Sequence, residues 1–118
     1  MSYVDGFLLP LPKENLDAYL EMSRKAGEVW KEFGAIDYVE CVGDDVPDGE
    51  VTSFPMSVKL EPGEVVVFSW ITYASREERD RINEQVMKDP RIAGIDPATM
   101  PFDGKRMMWG GFRPVLSL

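Results

Sequence analysis

Two carboxylates, two adjacent cations and a tryptophan are the residues of this chain whose types and placement could do chemistry. Asp5 and Glu40 stand inside segments that are otherwise apolar, Tyr3 to Leu9 and Ile36 to Val42. Ionised groups there are rarely buried without a partner. A carboxylate facing a closed cavity is pushed toward its neutral form and becomes usable for proton transfer. One that meets Lys59, Arg106 or Arg113 is instead half of a structural ion pair. Lys105 and Arg106 follow Asp103-Gly104, and a guanidinium grips a carboxylate or phosphate with two parallel hydrogen bonds. Arg106 is therefore a candidate anion anchor at a pocket mouth, and the other reading is a tight turn followed by surface cations. Along an extended strand, neighbouring side chains point to opposite faces, so only one of the two cations points inward. Trp70, with Phe68, Trp30, Trp109 and several tyrosines, can wall a pocket for a flat organic ligand. The same rings can equally form core and dimer interface.

The residues that are missing narrow the chemistry further. The chain has no histidine, which removes Ser-His-Asp and Cys-His arrangements and the usual zinc and haem ligands. Thirteen basic residues against 21 acidic ones leave a net charge of −8, which repels phosphate backbones and argues against nucleic-acid partners. Cys41 is the single cysteine, so no intramolecular disulfide can form, and it reads as a small buried apolar residue. The acidic stretch Gly43 to Glu50 fails as a calcium loop. Counted from Asp44, the third position is Val46 and the twelfth is Pro55, where oxygen ligands are required. No glycine-rich nucleotide loop is present, and neither a metal nor a cofactor is expected. Nothing resembles a signal peptide or a membrane span, so the expectation is a cytoplasmic protein.

These residues must be held by the elements that the hydrophobic pattern defines. A chain of 118 residues fits one domain. Tyr3 to Leu9 reads as a strand ended by Pro10 and Pro12. From Lys13, apolar and small residues recur at steps of three and four through Leu16, Tyr19, Ser23, Gly27 and Trp30, predicting an amphipathic helix that stops at Gly34. Ile36 to Val42 alternates as a second strand, with Tyr38 and Glu40 on one face and Val39 and Cys41 on the other. Met56 to Leu60 and Val65 to Tyr73 flank Glu61-Pro62-Gly63-Glu64, whose Pro-Gly centre suits a type II turn and predicts a hairpin. Ser75-x-x-Glu78 is a capping box that opens a second helix, which ends by Asp89 before Pro90, with Glu77 and Arg81 as an i,i+4 pair. Pro90 to Pro101 should be a connector with a short helix near Arg91 to Ala93, and Lys105 to Val115 the last strand. The order is a split β-α-β pattern of ferredoxin-like type: α+β, an antiparallel sheet with an extra hairpin strand, and helices on one face. The other face is too apolar to be left in water, which points to a two-fold homodimer.

Five ordered segments, Tyr3-Val4-Asp5-Gly6-Phe7, Tyr38-Val39-Glu40-Cys41, Val51-Thr52-Ser53-Phe54-Pro55, Val67-Phe68-Ser69-Trp70 and Met100 to Met107, together resemble the YbaA-like bacterial family, domain of unknown function 1428. The resemblance runs almost end to end. It implies a dimeric α+β barrel, in which two ferredoxin-like sheets close around each other. It carries no activity and no catalytic residues, because that superfamily hosts enzymes of several classes beside plain ligand-binding members. The residues themselves lead to a small organic ligand bound between sheet and helices. Asp5 and Glu40 would move protons there, in acid-base or cofactor-free oxygenase-like chemistry, with Trp70 as wall and Arg106 as anion anchor. The alternative is a non-catalytic dimeric binding or interaction module.

Overall fold

Alternating side chains along four segments build one antiparallel sheet, in a computed structural model that describes residues 2–118. The elements in chain order are β1 (Tyr3–Pro12), α1 (Leu16–Phe33), β2 (Asp37–Val42), α2 (Phe54–Ser57), β3 (Glu64–Tyr73), α3 (Arg76–Lys88), α4 (Pro90–Ala93) and β4 (Met108–Phe112). The strands lie in the order β2-β3-β1-β4, which is the ferredoxin-like arrangement expected from the sequence. Registers Asp5↔Ile71, Gly111↔Asp5 and Glu40↔Ser69 send Asp5, Glu40, Ser69 and Ile71 to one face. The core of Val29, Ile71, Tyr73, Ile82 and Val86 joins that face to α1 and α3. No helix among the described residues is long and apolar enough to cross a membrane.

Several expected boundaries move, each for a backbone reason. β1 continues through both prolines. The amide of Lys13 bonds to the Gly63 carbonyl, whereas the Val66 carbonyl, opposite Pro10, bonds to Gly43 on the other side. Even-numbered β1 residues therefore turn their amide positions away from β3. At Pro10 and Pro12 that edge lies beyond β4, which pairs only with Val4 to Leu8, so the missing N–H groups interrupt no ladder.

The extra hairpin strand at Met56 to Leu60 is not formed. Ser53 caps a short helix by accepting from the Met56 amide at 3.1 Å, with Pro55 in its first turn. Both edges of β3 are already occupied by β1 and β2. The turn itself is as expected, with Glu64 N–H donating to the Glu61 carbonyl at 3.1 Å and Gly63 at φ 82°. The last strand is shorter than Lys105 to Val115, because Gly104–Arg106 forms a 3₁₀ turn capped by Asp103. On α3, Arg81 pairs with Glu78 at 2.6 Å and not with Glu77. Cys41 is only partly buried and lies opposite Phe68 on the face away from α1 and α3.

Candidate functional site

Glu40 is the carboxylate that reaches a cavity. A space of about 200 Å³ lies between the sheet, α1 and the connector after α3. Four residues of α1 rise about 6 Å, close to the roughly 6.6 Å spanned by two strand residues. Tyr19, Ser23 and Gly27 of α1 thus match the spacing of Glu40 and Tyr38 on β2. The Tyr19 hydroxyl lies 2.9 and 2.8 Å from the two Glu40 oxygens, Ser23 donates to Oε2, and Ser23 Oγ lies 2.9 Å from the Tyr38 hydroxyl. Burial, then the charge of Glu40, pushes the Tyr19 phenol far above its ordinary range. Burial also pushes Tyr38 up to about 12, against the opposing effect of its Ser23 bond and with the Glu40 charge adding to it. Both phenols therefore stay protonated and able to donate. The remaining walls are apolar, with Phe7, Met22 and Trp30 on one side and Ile95, Phe102 and Met107 on another. Among the described residues that line the cavity, Glu40 is the one carboxylate, and no Lys or Arg is present.

Asp5 is not brought to this cavity. It is 1% exposed and sits 3.5 Å from Arg79 Nε, so its surroundings are those of the ion-pair alternative, with a cation of α3 in place of Lys59, Arg106 or Arg113. Tyr73 donates to Asp5 Oδ2 at 3.0 Å and Asn83 Nδ2 lies 3.4 Å from the same oxygen. Asp5 Oδ1 and Arg79 Nε have no hydrogen-bond partner, so their contact is electrostatic. Arg79 also donates to the Tyr3 hydroxyl at 3.1 Å and lies over its ring. Burial opposes the Arg79 charge, but Tyr3 and Asp5 hold its pKa above the usual value. Burial, then the Asp5 charge, raises that of Tyr73. The network is hydrogen-bonded to a cavity-lining residue through Trp30, whose indole N–H donates to Asn83 Oδ1 at 3.0 Å.

Arg106 is likewise held elsewhere. The 3₁₀ turn removes it from any strand alternation, and its guanidinium binds Glu64 through two bonds of 2.7 Å, Asp103 at 3.0 Å and the Lys59 carbonyl at 3.0 Å. It ties the turn before β4 to the start of β3 and lines no part of the cavity. Trp70 contributes to the cavity floor from within β3, but alternation puts its ring on the opposite face, 5.8 Å from that of Phe68. There it joins Val4, Leu8, Met108 and Phe112 along an open apolar face. Phe68 (44% exposed) and Phe112 (63% exposed) are left in solvent.

The sequence offers Tyr19 as one of several rings that could wall a pocket or form core, but the hydroxyl roles of Tyr19 and Ser23 escape it because both residues sit in the apolar stripe of a helix. The available signal was their four-residue spacing, with Gly27 four further on, facing a strand that carries Tyr38 and Glu40 on one face.

Residues 2–104 match the family described as "Protein of unknown function (DUF1428)". The chain is 53% identical over 116 residues to the uncharacterised protein YbaA of Escherichia coli strain K12, covering 98% of each chain, and equally similar to YbaA of Shigella flexneri. Among solved structures it is similar to a NIPSNAP family protein from Agrobacterium tumefaciens (TM-score 0.61, 15% identity, 98% of this chain and 94% of that one). It is also similar to an uncharacterised NIPSNAP domain protein from Burkholderia xenovorans (TM-score 0.58, 13% identity, 96% and 94%). At such identities the likeness concerns the fold alone.

Proposed function

We propose that this chain, which belongs to the family of proteins of unknown function DUF1428, binds a small organic molecule in the cavity between its sheet and α1. Glu40 is the group that meets the ligand's polar end. The observation that carries this reading is the contrast within one cavity, a single carboxylate held by hydroxyls beside aromatic and aliphatic walls. Small-molecule sites have this composition, apolar surface with a few convergent polar groups. The chemistry it supports is acceptance of a hydrogen bond or a proton at Glu40 from a donor group of the ligand, because an ionised carboxylate is acceptor-only. Asp5, enclosed with Arg79, has no part in this reading. A second copy of the chain over the open face of Phe68, Trp70 and Phe112, and a cytoplasmic location, complete the proposal.

The test is a panel of small apolar fragments followed by ligand-induced shifts in the NMR signals of Tyr19, Tyr38 and Trp30. Ala26→Phe is the control, since Ala26 lines the space and a ring there would fill it. Fragments should perturb the wild-type signals and leave a folded Ala26→Phe protein unaffected. Failure of every fragment, or undiminished binding in Ala26→Phe, would exclude the cavity as a site.

A further inference from the structure

Three inward carboxylates of this molecule can be compared, and one is treated differently from the others. Asp5 faces Arg79 at 3.5 Å and Glu64 faces Arg106 at 2.7 Å. Glu40 has neutral hydroxyl donors only, Tyr19 and Ser23, and no ion pair of it is found among the described residues. A carboxylate removed from water needs a counter-charge or a full set of hydrogen bonds. Two hydroxyls supply one proton each, against about four acceptor positions on a carboxylate. Glu40 thus retains acceptor capacity beside a cavity that offers it no cation.

The walls near it are aromatic. The rings of Tyr19 and Phe102 meet edge to face at 5.6 Å, and those of Trp30 and Tyr38 lie 6.2 Å apart, all four residues lining the same space. Aromatic faces attract cations, most strongly where water is excluded, and they repel anions for the same electrostatic reason. An engineered apolar cavity of about 150 Å³ accepts benzene, so about 200 Å³ admits an aromatic ring with a short arm.

We propose that the ligand is a small organic cation, a protonated amine on a compact apolar body, with its ammonium group against Glu40 and among the rings of Tyr19, Tyr38, Trp30 and Phe102. This rests on the cavity being a ligand site, and it assigns the class of ligand. The carboxylate is already partly withdrawn from water and oriented by Tyr19 and Ser23 before the ligand arrives. Part of the cost of forming the ion pair is therefore met in folding. The inference replaces the anion anchor expected from Arg106 with a cation site.

The experiment compares three probes with the same body, 2-phenylethylamine, 2-phenylethanol and phenylacetate, by calorimetric titration of the wild-type chain and of Glu40→Gln. In the wild type the amine should bind at least about tenfold more tightly than the alcohol, from a charge-assisted hydrogen bond and cation–π attraction, and the acid should not bind measurably. In Glu40→Gln the amine's advantage over the alcohol should shrink to the part that cation–π attraction supplies. The wild-type ranking decides the matter even if that variant does not fold. Alcohol or acid binding as tightly as the amine would overturn the cation assignment while leaving the cavity a ligand site. If none of the three bound while neutral fragments did, the cation assignment would fall alone; if fragments failed as well, both readings would fall.

Discussion

A Cβ at position 27 would lie 2.7 Å from two atoms of the Tyr38 ring, so the glycine in the middle of α1 is what lets that ring lie against the helix and reach Ser23. Glycine in a helix interior ordinarily costs about 1 kcal/mol relative to alanine. Gly27→Ala should reverse that expectation. By displacing Tyr38 and breaking its bond to Ser23, it should lower stability by about 1 to 3 kcal/mol, read from urea unfolding. The buried phenols give a second handle. Tyr38 is pushed from its ordinary 10.0 to about 12, chiefly by burial. Below pH 10 it is protonated in both folded and unfolded chains and adds no pH dependence. Between 10 and 12 the unfolded chain loses this proton while the folded one keeps it, so stability falls as pH rises. Tyr19 and Tyr73 are shifted in the same direction and steepen the loss. Unfolding free energies that stayed level above pH 10 would contradict this account of the three phenols.

At the scale of elements, Arg106 fastens the turn before β4 to the start of β3. Its bonds hold the carboxyls of Glu64 and Asp103 below their ordinary values. A depressed carboxylate contributes stability that is present above the ordinary range and is lost as pH falls through the lowered value. Arg106→Met should therefore lower stability at neutral pH and flatten the acid side of the stability profile below about pH 4.5. An unchanged acid limb in denaturant titrations would show that the clamp contributes nothing to it. The same elements explain which boundaries were legible. Ser75 and the stop before Pro90 could be read because a cap and a proline act on their immediate neighbours. The strand at Met56 to Leu60 was misread because its alternation is genuine, yet whether a segment pairs depends on a free strand edge, and β1 and β2 take both edges of β3. Pro10 and Pro12 misled for the related reason that a missing N–H matters only where a neighbour needs it.

For the whole molecule, the open face of Phe68, Trp70, Met108 and Phe112 is the surface that a second copy would cover. Sedimentation of the wild-type chain at micromolar concentration should give twice the chain mass, and Phe68→Asp should give the monomer with the ferredoxin-like fold retained. A wild-type monomer would remove the dimer proposal. Local pattern in the chain carried the α+β class, the order of the four sheet strands and two long helices, the family and the absence of histidine chemistry, because periodicity, caps and composition are local properties. It also selected Asp5 and Glu40 as unusual, since a carboxylate in an apolar strand is visible without coordinates. Three-dimensional packing was needed to enclose Asp5 with Arg79, to commit Arg106 to Glu64, and to set Glu40 on the cavity between sheet and α1. Which charge meets which depends on residues far apart in the chain, 74 positions from Asp5 to Arg79 and 42 from Glu64 to Arg106, brought together by side-chain packing that no local pattern encodes.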